Sequence, residues 1–273
     1  MDYYKNKVAI VTGGASGLGL ALCEELAMCS ATVVPVDVNQ EGAQEIAERI
    51  KKGGGEALFG FLDVTLYENA QRIVKDVVQK YGRLDLIFNN AGTTIQGEMR
   101  DLTIEQWHRV IDVNLWGVIY GAIAAYGVME KQGHGQIVNI GSLAGLIPVP
   151  KEIPYCTSKW ALVGFSNALR VEAEDLGIKV NLICPGVMRT PLHDTTQLIN
   201  VDMRKYHRPK AMKFFFNPQK AARIILRKVE KNRAIAVFPF YAHLVWLLYR
   251  LHPAIFNFLL RKMIRDFRKI RAT

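Results

Sequence analysis

The segment from Lys7 to Met28 constrains the fold more than any other part of this chain. Lys7-Val-Ala-Ile-Val-Thr12 is a short, β-branched apolar run, the composition of a strand buried on both faces. Gly13-Gly-Ala-Ser-Gly-Leu-Gly19 follows directly, and Leu20 to Met28 then has helical composition and spacing. Strand, glycine-rich turn and helix in that order form a cradle. Its backbone can approach a pyrophosphate closely, and the free N–H groups of the helix N-terminus face that anion. A second strand, Thr32-Val-Val-Pro-Val-Asp37, ends on a carboxylate roughly 20 residues beyond the glycines, where the ribose of an adenine nucleotide is met. Asp37 there would accept hydrogen bonds from the ribose hydroxyls and repel a 2′-phosphate. No arginine or lysine lies in the glycine loop or just after Asp37, so NAD is expected over NADP. The competing readings are an ordinary structural turn for the loop and a strand-end turn residue for Asp37.

Strand-like runs recur at Ala57–Leu62, Leu84–Phe88, Gln136–Ile140, Lys179–Cys184 and Ala234–Phe238, with helical segments between them. That alternation predicts an α/β fold: a doubly wound parallel sheet with helices on both faces. Lys51-Lys-Gly-Gly-Gly55 marks a helix end. At 273 residues, half of them apolar, with no repeat and no linker, one large domain is expected. Cys23, Cys29, Cys156 and Cys184 form no Cys-x-x-Cys pair, so neither a metal site nor a disulfide is expected, and a reducing compartment fits. The polar N-terminus runs straight into the first strand without a signal-peptide pattern, which points to the cytoplasm.

The chemistry concentrates in the middle of the chain. Tyr155 and Lys159 are four residues apart, thirteen residues after Ser142. At that spacing a phenol and an ammonium share one helix face. The ammonium is expected to favour the phenolate and lower a pKa that is ordinarily near 10, as interconversion of an alcohol and a carbonyl requires. Gly-x-x-x-Gly-x-Gly departs from the dinucleotide fingerprint Gly-x-Gly-x-x-Gly. Yet Thr12-Gly-Gly-Ala-Ser-Gly-Leu-Gly19, Asn89-Asn-Ala-Gly92, Asn114, Ser142, Tyr155, Lys159 and Pro185-Gly186 resemble, in type and order, the signature of the short-chain dehydrogenases/reductases, over about residues 5–190.

The resemblance implies a Rossmann-type sheet of about seven parallel strands, a nicotinamide cofactor and one catalytic site. Tyr155 is then the acid/base and Lys159 its pKa modulator and ribose ligand. Ser142 orients the substrate oxygen, and Asn114 holds a water of the proton relay. Gly13, Ser16, Gly17, Leu18 and Gly19 hold the cofactor phosphates. Asp63 and Val64 sit at the adenine, and Asn90, Ala91 and Gly92 wall the cofactor cleft. Pro185, Gly186, Val187 and Thr190 meet the carboxamide end. A homodimer or homotetramer follows from the same likeness, through helices around Leu102–Lys131 and Tyr155–Leu176.

The expected catalytic domain spans residues 1–240, with a substrate lid at about 187–217. The lid is apolar: Leu192, Leu198, Ile199, Met203, Tyr206, Met212 and Phe214-Phe-Phe216, with Arg189, Arg204 and Arg208 able to meet a carboxylate. It suggests a lipophilic substrate such as a steroid, a retinoid or a long-chain hydroxy compound. The three phenylalanines read equally well as core. Residues 241–273 form a basic extension. From residue 202 onward there are 18 Lys and Arg against Asp202, Glu230 and Asp266. In the last helix Phe256, Leu260, Met263, Phe267 and Ile270 oppose Arg261, Lys262, Arg265, Arg268 and Lys269, the pattern of a helix lying in a membrane interface. A cover over the substrate cleft, a subunit contact and a solvated basic helix are the other readings. No nucleic-acid module accompanies the charge. The leading expectation is an NAD-dependent dehydrogenase or ketone reductase. The alternative is a non-catalytic protein that senses NAD(H) or scaffolds partners through its tail.

Overall fold

A computed structural model describes residues 1–206 and 215–272, with backbone only at 193 and 255. Its elements follow the predicted alternation. Strand β1 (Val8–Thr12) leads into α1 (Gly17–Met28), then β2 (Thr32–Asp37), α2 (Gln40–Lys52), β3 (Gly60–Phe61), α3 (Tyr67–Tyr81) and β4 (Leu86–Asn89). Next come a short strand β5 (Ile95–Gln96), α4 (Ile104–Ile111), a π-helical turn at Asp112–Trp116, α5 (Gly117–Gln132), β6 (Gly135–Ile140), α6 (Ile153–Ala173) and β7 (Ile178–Pro185). The last third holds β8 (Gln197–Leu198), α7 (Pro218–Glu230), β9 (Ile235–Phe238), α8 (Phe240–Leu251) and α9 (Pro253–Lys269).

Seven strands pair in the order β3-β2-β1-β4-β6-β7-β9, all parallel. The side-chain period of two splits each strand between two cores. Ala9 and Val11 of β1 face α1, α2 and α7, whereas Val8 and Ile10 face α3, α5 and α6. Each fully buried leucine or isoleucine, such as Leu22 or Ile137, contributes about 1.5–3 kcal/mol. Helix α2 ends at Lys52, as the Lys-Lys-Gly-Gly-Gly run predicts. The third predicted strand is shorter than expected. At the sheet edge it reduces to Gly60–Phe61 and an isolated bridge from Val33 to Ala57. Strand order reverses between β1 and β4, and a crevice opens there at the carboxyl ends of the strands.

Two readings left open for the last third are narrowed. Phe216 belongs to the core: its ring meets Phe238 edge-on at 6.0 Å, and it packs against the α1/α7 side. Met212, Phe214 and Arg208 lie outside the described residues. The apolar face predicted for the last helix turns onto the protein. Phe267 is only 7% exposed, Phe256 meets Tyr249 at 5.8 Å, and Met263 reaches the crevice. The reason is a polar clasp at the end of α9. Arg268 pairs with Glu98 at 2.7 Å, Arg271 pairs with Asp101, and Asp202 N–H donates to the Ile270 carbonyl at 2.8 Å.

Candidate active site

The crevice is a cleft of about 660 Å³, within the range of cofactor and substrate sites. At one end is the glycine turn. Gly17 has φ +55°, a left-handed conformation that side chains rarely adopt. A Cβ on Gly19 would collide with the Gly13 carbonyl, so that glycine permits α1 to pack against the turn. Ser16, the N-cap of α1, makes no side-chain capping bond, which leaves first-turn N–H groups open to an anion. The Asp37 carboxylate is fixed by Ala15 N–H at 3.1 Å and Asn39 N–H at 3.0 Å, and it borders the same cleft. Asp63 is held by the Thr65 N–H and hydroxyl. Asn90 donates to the Thr12 carbonyl at 2.9 Å. The residues present fit a dinucleotide.

At the other end, β6 delivers Ser142 and the first two turns of α6 deliver Tyr155 and Lys159. Pro154 begins the helix, a position where its missing N–H costs nothing. Ser142 Oγ accepts Ala144 N–H at 3.1 Å and borders the cleft together with Tyr155. Lys159 Nζ donates to the Ile140 carbonyl at 2.9 Å and lies 5.6 Å from the Tyr155 ring centroid. Burial pushes the Tyr155 phenol up to about 12, against a smaller lowering by Ser142. Burial also lowers the Lys159 ammonium to about 8. Desolvation dominates both groups, so the phenol lies above its ordinary value instead of below it.

The family model for short chain dehydrogenases matches residues 7–198. The chain belongs to the short-chain dehydrogenases/reductases. It is 39% identical over 186 residues to 2,5-dichloro-2,5-cyclohexadiene-1,4-diol dehydrogenase of Sphingobium indicum, covering 68% of this chain and 74% of that one. Cyclohexanol dehydrogenase of an Acinetobacter species is 37% identical over 207 residues, with 75% and 81% covered. A short-chain dehydrogenase/reductase from Burkholderia phymatum, solved in complex with NAD, has the same fold. Its TM-score is 0.82 at 22% identity, over 93% of this chain and 96% of that one.

In this short-chain dehydrogenase every predicted site residue borders the cleft except Gly19 and Asn114. Asn114 is fully buried in the π-helical turn. Its amide accepts Thr93 N–H at 2.8 Å and donates to the Thr93 carbonyl at 2.8 Å and Ser158 Oγ at 3.3 Å. With those bonds made, the side chain ties the segment after β4 to α6. Val187 borders the cleft, and its N–H is taken by the Tyr241 hydroxyl at 2.9 Å, so the start of α8 is joined to this end of the cleft. Sequence reasoning did not find Thr12, whose hydroxyl accepts both Asn90 and Ala91 N–H. It also missed Gln96, Glu152 and Met263 on the cleft wall. Thr12 was visible as the first letter of the glycine motif; the others carry no local signal.

Proposed function

We propose that this short-chain dehydrogenase moves a hydride between NAD and a lipophilic secondary alcohol or ketone. The observation that carries the proposal is the convergence of Ser142, Tyr155 and Lys159 at one end of a cleft whose other end is the glycine cradle closed by Asp37. A bound nicotinamide would supply the hydride acceptor in oxidation and the hydride donor in reduction. The chain's residues handle the proton and the oxygen. Ser142 Oγ holds the substrate oxygen next to the Tyr155 hydroxyl. In reduction Tyr155 gives that oxygen its proton, the state that a phenol raised to about 12 favours. In oxidation it takes the proton back. Lys159 fixes the α6 end of the set through Ile140. Ile147, Val149, Leu192 and Met263 give the substrate wall an apolar character, which supports a lipophilic substrate. The alcohols named for its relatives support an alicyclic ring in first place, ahead of steroid or retinoid skeletons. NAD is favoured over NADP by Asp37. Screening alicyclic and longer secondary alcohols while following NADH absorbance tests the reading. No turnover with any of them would count against it.

Two assembly features belong to the same proposal. Trp116 and Ile123 on the α4–α5 rod, and Trp160 and Val171 on α6, are exposed apolar residues, which supports a dimer through these helices. On the extension, Phe240, Leu244, Leu248 and Leu251 share one face of α8, and Phe258 and Leu259 are exposed on α9. Exposed Arg250, Arg261, Lys262 and Arg265 accompany them. A face of this composition supports docking of a cytoplasmic enzyme on an anionic membrane, at about 1 kcal/mol per basic residue. This is a different face from the one the sequence predicted. Co-sedimentation with phosphatidylserine vesicles should be lost in Leu248→Glu/Phe258→Glu. Equal sedimentation of both proteins would remove the membrane from the account.

A further inference from the structure

We infer that the cleft contains a polar subsite, Glu152 backed by Gln96 and Lys151, that binds a second hydroxyl or carbonyl oxygen of the substrate. The preferred substrate is then a diol or hydroxyketone, not a monoalcohol. The inference rests on the oxidoreductase reading above and deepens it.

Glu152 borders the cleft three residues before Tyr155, on the approach to α6. A carboxyl group on a wall otherwise built from Ile147, Val149, Leu192 and Met263 is costly to desolvate unless a polar partner meets it. Its protein partners are arranged in series from behind. Lys151 Nζ donates to Gln96 Oε1 at 3.0 Å, and Gln96 Nε2 donates to Glu152 Oε1 at 2.7 Å. The Gln96 amide is thereby oriented, and Glu152 Oε2 receives no hydrogen bond from the described residues. Thr94, two residues before Gln96, also borders the cleft and keeps a buried hydroxyl without a partner.

The arrangement is maintained at a cost. Lys151 holds φ +68°, a left-handed conformation unfavourable for a residue with a side chain. Gly97 N–H donates to the Lys151 carbonyl at 2.8 Å. The Lys151 ammonium lies 5.4 Å from the Phe267 ring centroid of α9. Three separate segments therefore hold one carboxyl group toward the substrate space: the strand after the Asn90 wall, the approach to α6, and the C-terminal helix. Burial raises the Glu152 carboxyl pKa, with Lys151 and Gln96 opposing that rise. A carboxylate there accepts from a hydroxyl, and a carboxylic acid donates to a carbonyl.

The test compares cyclohexane-1,4-diol with cyclohexanol, in the presence of NAD, for the wild-type protein, Glu152→Gln and Glu152→Ala. The wild type is expected to favour the diol in kcat/KM by about tenfold or more, the scale of one hydrogen bond to a charged group. Glu152→Ala should lose that ratio and Glu152→Gln should keep part of it. A ratio near one in the wild type, or a ratio unchanged in Glu152→Ala, overturns the subsite while leaving the oxidoreductase reading intact. Absence of turnover with both alcohols would instead count against that reading. In that event, thermal stabilisation of the NAD-loaded protein decides the subsite. Greater stabilisation by the diol than by cyclohexanol, lost in Glu152→Ala, supports it; equal stabilisation overturns it.

Discussion

Burial sets the acidities of both Tyr155 and Lys159, and it acts on them in opposite directions. The Lys159 ammonium falls from 10.5 to about 8. Between those two values the unfolded chain carries a proton that the folded chain has released. Stability attributable to this residue therefore rises with pH across that window, and its burial penalty is fully present below it. Comparing the wild type with Lys159→Met by urea denaturation at pH 7 and pH 10 should show the difference moving in favour of the wild type. The expected movement is up to about 3 kcal/mol. A difference independent of pH would mean that Lys159 is not desolvated. Tyr155 and Lys159 were legible in the sequence because helix geometry fixes what a four-residue spacing means, and Ser142 through the family resemblance. The direction of the phenol's shift was not legible. It depends on how deeply α6 is covered, which only the packed molecule decides. Asn114 shows the same limit, since its residue type was readable but its bonds to Thr93 and Ser158 were not.

Helix α9 is the element whose composition was readable and whose destination was not. Its two faces could be written down from the periodicity. The partners that pull it onto the cleft, Glu98 and Asp101, lie 170 residues away from Arg268 and Arg271. Glu98 is 7% exposed. Burial would raise its carboxyl pKa, but Arg100 and Arg268 outweigh that and hold it below the ordinary value. Arg268→Ala should loosen the end of α9 and withdraw Met263 from the substrate wall. Apolar contact there is made in both ground and transition states. KM for cyclohexanol should therefore rise several-fold while kcat changes by less than about twofold. Steady-state kinetics on the variant check this, and an unchanged KM would show that α9 is not part of the substrate wall. The short β3 is a second case of partial legibility. An apolar run was correctly read as a strand, but its place at the sheet edge leaves it only one neighbour.

For the whole molecule, the alternation of strands and helices was legible throughout, and all seven strands of the main sheet arise from predicted runs. What no single segment announces is assembly. The exposed apolar residues of α5 and α6, among them Val171 at 74% exposure, predict a dimer at micromolar concentration in analytical ultracentrifugation. Trp116→Glu/Val171→Glu should shift it toward monomer, and a monomeric wild type would contradict the interface. Cofactor choice is also a property of the whole cleft. With Asp37 at its end, kcat/KM should favour NAD over NADP by about tenfold or more through charge repulsion of the 2′-phosphate, and Asp37→Ala should narrow that ratio. The central claim is that one cleft holds the dinucleotide at the glycine cradle and performs proton transfer at Tyr155. The most direct test pairs NADH formation from an alicyclic alcohol with NAD binding by calorimetry, in the wild type and in Tyr155→Phe. The account predicts turnover in the wild type, a loss of about 10²–10⁴-fold in the variant, and NAD affinity nearly unchanged. Turnover in Tyr155→Phe close to that of the wild type would contradict it.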